Sequence, residues 1–176
     1  SIFVSGDRAS LFGASPMTTD DLLVIDFVNG NPIPNDPSDP SVGLVFSAGA
    51  NPSADAIELR APSLSAISEF IDADYLIGGI GAGEIQLADL ADNFVVTYDG
   101  VEAVFDTAEV DSRRFEIDAA YTGNHEMRTR DAAGVGNSLF EGTGATPFGM
   151  FSFRNPDATV GSLVIDAGPG DNIVTL

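Results

Sequence analysis

The fold class is decided by the stretch Asn93-Phe-Val-Val-Thr-Tyr-Asp-Gly-Val-Glu-Ala-Val-Phe105. Apolar residues alternate with polar ones on both sides of Asp99-Gly100, which is typical of a strand with one buried face. Asp-Gly between two such runs is a strong signal for a tight hairpin turn. We therefore predict an antiparallel hairpin with strands at 94–98 and 101–105.

Similar short apolar runs, separated by glycine, proline and asparagine, occur along the rest of the chain. They lie at 21–28, 42–47, 56–60, 114–121, 126–130, 148–153 and 162–165. The segments 114–121 and 126–130 flank Thr122-Gly-Asn124 and are predicted to form a second antiparallel pair. About ten short strands with frequent turns predict a mainly β fold, either an antiparallel β-sandwich or a jelly roll.

One segment has helical periodicity instead. Between residues 63 and 73, Leu64, Ile67 and either Phe70 or Ile71 recur every three to four positions, after a serine suited to an N-cap. We predict one short helix there. A parallel α/β sheet needs helices between most of its strands, and this pattern does not indicate them.

The composition is strongly acidic. Against 27 acidic residues the 176-residue chain has 7 basic ones, all arginine, so its net charge is -20. A field of this sign repels nucleic acid and anionic membranes and attracts cations. Cysteine is absent, and no apolar run approaches the ~20 residues of a membrane span. We expect a single β domain at 1–165, extracellular or at the cell surface, that neither binds nucleic acid nor inserts into a membrane.

Residues 166–176, Asp-Ala-Gly-Pro-Gly-Asp-Asn-Ile-Val-Thr-Leu, have a strand–turn–strand pattern. Ala167 to Thr175 resembles one copy of the Gly-Gly-x-Gly-x-Asp-x-apolar-x nonapeptide of the repeats-in-toxin (haemolysin-type calcium-binding) family. The resemblance implies that calcium lies between successive turns, and that this domain precedes such an array in a larger exported protein. Asp171 and Asn172 are then candidate calcium ligands, although one copy alone does not complete a site. The alternative is a glycine turn between two strands.

A second candidate calcium site lies on and after the predicted hairpin. Asp99 and Asp106 belong to a run of five acidic residues between positions 99 and 111. Carboxylate oxygens are the ligands that calcium prefers in proteins. The alternative is a charged face exposed to water.

Four of the seven arginines, Arg113, Arg114, Arg128 and Arg130, lie within 18 residues of one another. If the two segments of the second predicted pair lie side by side, these arginines form a positive patch on a negative protein. A guanidinium group binds a carboxylate through two hydrogen bonds, so the patch is a candidate site for a uronate-bearing polysaccharide or another surface ligand. The alternative is that the arginines pair with neighbouring acidic residues.

Few residues point to catalysis. His125 is the only histidine, so metal sites built from several histidines are excluded, and its polar neighbours predict a partly exposed loop position. The Gly-x-Ser-x-Gly motif of α/β-hydrolases does not occur. The aromatic residues are 12 phenylalanines and 3 tyrosines without tryptophan, which favours a packed core over a sugar-stacking surface.

These features together predict a non-catalytic, calcium-stabilised module for ligand binding or adhesion in a larger secreted or surface protein. One alternative is a polysaccharide-active enzyme or its acidic-sugar-binding domain. Another is a self-assembling structural subunit of a cell surface.

Overall fold

The computed structural model describes residues 2–5, 20–28, 31–34, 43–49, 54–60, 70–89, 93–133, 136–143, 148–156 and 161–176. Most of these residues lie in β-strands, so the prediction of a mainly β fold is confirmed. The strands are β1 (Ile2–Ser5), β2 (Leu22–Asp26), β3 (Leu44–Ser47), β4 (Ala56–Arg60), β5 (Phe70–Gly79), β6 (Ala82–Ala88), β7 (Asn93–Asp99), β8 (Ala103–Asp106), β9 (Val110–Ile117), β10 (Glu126–Asp131), β11 (Asn137–Thr143), β12 (Met150–Arg154), β13 (Ser162–Asp166) and β14 (Ile173–Thr175).

The strands form two mixed sheets. The first sheet has eight strands in the order β1-β2-β4-β8-β12-β11-β10-β14, and the second has six in the order β13-β9-β5-β6-β7-β3. Among the described residues, seven strand pairings are parallel and five are antiparallel, so the prediction of an antiparallel fold is wrong. The chain repeatedly passes from one sheet to the other, and it therefore lays later strands beside earlier ones in the same direction.

The stretch around Asp99-Gly100 is an arch between the sheets. β7 lies between β6 and β3 in the second sheet, whereas β8 lies between β4 and β12 in the first. Gly100 turns the chain with a φ of 74°, and the Val101 N–H donates to the Gly81 carbonyl at 2.9 Å. Alternation requires only that one face of each strand meets the core, and two strands in opposite sheets satisfy this as well as a paired hairpin does. The hairpin prediction is therefore wrong, although both of its strands exist.

The second predicted pair, 114–121 with 126–130, is also an arch. β9 pairs with β5 and β13 in the second sheet, and β10 pairs with β11 and β14 in the first. β13 runs parallel to β9, and β14 runs parallel to β10. The unit formed by β13, its turn and β14 therefore lies as a further layer on the unit formed by β9, its turn and β10.

Phenylalanine side chains fill the space between the sheets, as the composition predicts. The Phe115 ring of the second sheet lies 4.7 Å from the ring of Tyr75 and 4.5 Å from that of Phe140 in the first sheet. Phe151 and Phe153, also in the first sheet, lie 5.4 and 5.1 Å from Phe115 between ring centroids. All five side chains are at most 3% exposed. Burial of one such ring contributes about 1.5–3 kcal/mol, so this aromatic cluster holds the two sheets together.

The helix predicted at 63–73 is not shown. Residues 63–69 lie outside the described part of the chain, and residues 70–73 form the beginning of β5, so the helix prediction is wrong from Phe70 onward. β5 pairs with β6 on one side and with β9 on the other. Main-chain hydrogen bonds to two neighbouring strands outweigh a helical periodicity that spans only a few apolar positions.

We expect Gly100→Ala to destabilise the fold by about 2–4 kcal/mol. A left-handed φ costs a residue with a side chain about 1–2 kcal/mol, and a Cβ atom on Gly100 would also overlap the backbone of Gly49. Gly136→Ala is the matched control, because Gly136 has a similar φ of 79° and no atom within 4 Å of the added Cβ. Urea unfolding measures both variants. Equal losses of stability would show that Gly100 and Gly49 are not in tight contact.

Candidate functional site

Arg113 lies in the interior, where each of its three guanidinium nitrogens has a hydrogen-bond partner. Its Nη1 donates to Asp106 Oδ2 and, at 2.7 Å, to the Tyr75 hydroxyl, which itself donates to Asp106 Oδ2. Its Nε donates to the Arg154 carbonyl at 2.8 Å and its Nη2 to the Ala108 carbonyl at 2.6 Å. We call Arg113, Asp106 and Tyr75 the buried cluster, since they are respectively 0, 3 and 1% exposed.

Arg113 keeps its positive charge inside the buried cluster. Burial by itself lowers the pKa of Arg113, but the negative charge of Asp106 and the hydrogen bonds of the cluster outweigh it and raise that pKa. Burial, together with the charge of Asp106, raises the pKa of Tyr75 well above its ordinary value, so the tyrosine stays a neutral donor. Arg113 therefore does not reach a ligand at the surface, and Asp106 is occupied by an ion pair.

Arg128 and Arg130 are the exposed members of the predicted arginine set. Both project from β10 and share one carboxylate oxygen, Oε1 of Glu141 on β11, with Nε distances of 3.0 and 3.4 Å. The hydrogen bond from Arg128 is the main cause of the lowered pKa of Glu141. Two guanidinium groups thus share one carboxylate on this surface, and Glu126 projects from the same face of β10, two positions before Arg128. We call these three residues the arginine pair site.

Arg114 lies on the other sheet. It projects from β9, where its Nη2 is 2.9 Å from both Glu116 and Asp166. The hydrogen bond to Asp166 is the largest cause of the raised pKa of Arg114. The four arginines therefore occupy three separate places, because β9 and β10 belong to different sheets. The expectation of one patch containing all four is wrong, and the structure brings only Arg128 and Arg130 together.

Asn172 holds the turn between β13 and β14. Its Oδ1 accepts the His125 N–H at 2.8 Å, and its Nδ2 donates to the carbonyls of Ala167 and Gly168 at 2.8 and 3.1 Å. The Asp171 side chain is exposed, while its N–H donates to Asn124 Oδ1 at 3.2 Å. Asn172 stands where the calcium-binding motif has aspartate. Its side-chain amide thus attaches the turn to the preceding arch.

The sequence predicts two calcium sites, one with Asp99 and Asp106 and one with Asp171 and Asn172. Asp99 is exposed at the end of β7 in the second sheet, Asp106 is paired with Arg113, and both ends of the Asn172 amide bind the backbone. Across the described ranges, no three histidine, aspartate or glutamate side chains are placed to hold a metal ion. In neither predicted pair are both side chains free to bind calcium, because Asp106 pairs with Arg113 and Asn172 bonds to the backbone. Calcium binding and the resemblance to the repeat family stay predictions.

His125 is buried, so the prediction of a partly exposed position is wrong. Its ring is 0% exposed, lies 4.7 Å from the Tyr121 ring between centroids, and places Nε2 2.9 Å from the Tyr121 carbonyl. Its own carbonyl accepts the Ile173 N–H at 2.9 Å. His125 therefore helps to attach β14 to the arch.

Three acidic residues that the sequence analysis did not single out form a carboxylate ladder: Asp21, Asp55 and Glu102. They precede β2, β4 and β8, whose first residues are in register. Asp55 Oδ1 accepts the Asp21 N–H at 2.6 Å, and Glu102 Oε2 accepts the Asp55 N–H at 2.7 Å. An acidic residue just before each apolar run is the signal that points to them. The carboxylates of Asp55 and Glu102 each accept the backbone N–H just before the neighbouring strand, which fixes the register of these strands.

Within the described residues, no helix is long and apolar enough to cross a membrane.

Comparison with known proteins adds no family. The sequence matches no protein-family model, and neither curated proteins nor solved structures include a match to it. The function therefore has to follow from the side chains described above.

We expect Asp106→Asn to destabilise the fold by about 3–5 kcal/mol, because it leaves the buried guanidinium of Arg113 without a counter-charge. Asp166→Asn is the control, since it removes a carboxylate from the exposed arginine Arg114 and should change stability little. Urea unfolding at neutral pH compares the two variants. A small loss for Asp106→Asn would mean that the Arg113 charge is compensated in another way.

Glu102 gives the ladder a pH dependence. Burial, opposed by the Asp55 N–H and reinforced by the Asp55 charge, raises the pKa of Glu102. The folded state therefore binds this proton more tightly than the unfolded chain, and stability is lost as the pH rises from the ordinary pKa of a glutamate to the raised pKa of Glu102.

We expect Glu102→Gln to raise the melting temperature at pH 7, since the amide oxygen still accepts the Asp55 N–H. The gain should shrink as the pH falls toward 4, where the wild-type carboxyl is also neutral. Melting curves across this range, with Glu126→Gln as an exposed control on β10, check the prediction. A gain that is independent of pH would contradict it.

Proposed function

We propose that this chain is a non-catalytic β-sandwich module that binds an anionic ligand outside the cell, as part of a larger secreted or surface protein. The observation that carries the proposal is the arginine pair site on β10 and β11. Its arginine side chains are 46 and 53% exposed and share the single carboxylate of Glu141. The acidic composition, with a net charge of -20, agrees with a protein that stays hydrated in a salty medium.

The arginine pair site is rigid. Arg128 and Arg130 lie two positions apart on one strand, so both project from the same face of the sheet. β10 pairs with β11 along its whole length, which holds both Cα atoms in place, and it pairs with β14 as far as Arg128. A preorganised pair of cationic forks loses little entropy when it binds a planar anion.

The site suits a carboxylate better than a neutral sugar. Each guanidinium group offers two parallel N–H donors to a carboxylate, and Glu141 leaves part of this capacity open. A polymer of uronic acid repeats such carboxylates, so several weak contacts add along one chain. Uronate-bearing polysaccharide is therefore the ligand class that we assign to the site.

We expect calcium to act through the overall electrostatic field of the protein. A charge of -20 repels a polyanion at long range and gathers cations near the surface. Millimolar calcium screens this repulsion and bridges carboxylates of the ligand and the protein. Calcium is therefore expected to strengthen polyuronate binding without a dedicated site among the residues described above.

Calorimetric titration with polygalacturonate, in calcium and in EDTA, tests the proposal. The double variant Arg128→Gln/Arg130→Gln should bind at least tenfold more weakly than the wild type. Arg60→Gln/Arg114→Gln is the matched control, because it removes the same charge from exposed arginines on β4 and β9 and should bind like the wild type.

Two outcomes would overturn the proposal. One is that the wild type does not bind polygalacturonate in either buffer. The other is that both double variants lose affinity equally, since this would show a response to net charge and not to the arginine pair site. A neutral glucan serves as the ligand control and should not bind.

A further inference from the structure

Among the described residues, the two sheets end together at β13 and β14, where inward-facing side chains stay partly exposed. Leu163 on β13 is in register with Arg113, and Val174 on β14 is in register with Met127. Registered residues of parallel neighbours project from the same face of a sheet, so Leu163 and Val174 face the space between the sheets. Arg113 and Met127 are 0 and 1% exposed, whereas Leu163 and Val174 are each 41% exposed. We call this end the open edge.

The opposite end of the second sheet is closed. β3 is its last strand there, and its inward-facing Leu44 and Phe46 are only 8 and 1% exposed. Val45, between them, projects outward and is 60% exposed. Uncovered inward-facing residues are therefore a property of the open edge and not of every terminal strand in this fold.

The outer sides of β13 and β14 form the same kind of double strand edge as the sides of β9 and β10 that β13 and β14 cover. β13 pairs in parallel with β9 over five residues, and β14 pairs in parallel with β10 over three. The turn that joins them contains Gly168 and Gly170 with positive φ values. In the described residues no strand pairs with the outer sides of β13 and β14, so their outward main-chain groups are available to a further layer.

We propose that the open edge binds a strand–turn–strand segment of a partner protein, which adds one parallel strand to each sheet. Two sheet edges lie side by side, so a two-stranded segment covers both, whereas a single strand covers one. The segment needs an apolar inward-facing residue on each strand to cover Leu163 and Val174. A neutral or basic segment is favoured over a second copy of this chain, because each copy carries a net charge of -20.

A synthetic peptide with the sequence of residues 161–176, carrying Asp166→Asn and Asp171→Asn, is the probe. It reproduces the segment that already pairs with β9 and β10, with less negative charge. We expect one peptide to bind per chain in fluorescence anisotropy, and we expect hydrogen exchange of the β13 and β14 amides to slow. Amides of β3 should not change.

Leu163→Asp and Val174→Asp should each weaken peptide binding at least tenfold, because they place a charge in the row that the peptide covers. Val45→Asp is the control, with an equally apolar and more exposed residue on the closed end. If an aspartate variant does not fold, Leu163→Ala and Val174→Ala replace it, with an expected loss of about threefold. Melting curves establish that each variant is folded.

Three results would overturn this inference. They are an absence of peptide binding at millimolar concentration, equal losses for Val45→Asp and the edge variants, and self-association of the chain that the peptide competes with. The last result would identify a second copy as the occupant. The inference does not depend on the anionic ligand, since Arg128→Gln/Arg130→Gln should leave peptide binding unchanged.

Discussion

The guanidinium group of Arg113 ties both sheets of the fold together. It bonds Tyr75 from β5 in its own sheet, and it bonds Asp106 from β8 and the Arg154 carbonyl from β12 in the other sheet. An unpaired charge at this depth is strongly unfavourable, so these strands are held in one relative position. Mispaired arrangements of the sheets would leave the same charge uncompensated, and the aromatic cluster beside it packs around this position.

The polar residues of the protein separate into two groups with different roles. Inside and at the strand ends, Arg113, His125, Asn172 and the carboxylate ladder bond to backbone or to each other and define how arches and strands join. Outside, Arg128 and Arg130 share one carboxylate and keep donors open to solvent. An arginine whose donors bond to buried protein groups is structural, whereas an arginine with donors open to solvent is able to bind a ligand.

The parallel layering has a consequence for the end of the molecule. The two strands of a hairpin pair with each other. The two strands of an arch lie in different sheets, so each keeps one edge free for a further strand. Each added layer therefore covers the previous one and exposes the same pattern again, as β13 and β14 do on β9 and β10. The attachment of that layer by Asn172 and His125 shows how a short turn is fastened when it has few apolar contacts of its own.

The mainly β class, most strand positions and the phenylalanine core can be read from the sequence alone, because the alternation of side chains reports the buried face of a strand. The sequence also contained an unused signal for the buried cluster: Arg113 is in phase with Phe115 and Ile117, and Asp106 is in phase with Val104. Only the tertiary structure decided which strands are neighbours and in which direction they run. Strands that face each other across a core and strands that pair within one sheet have the same alternation, so the arches, the parallel pairing and the separation of the arginines required contacts between distant residues.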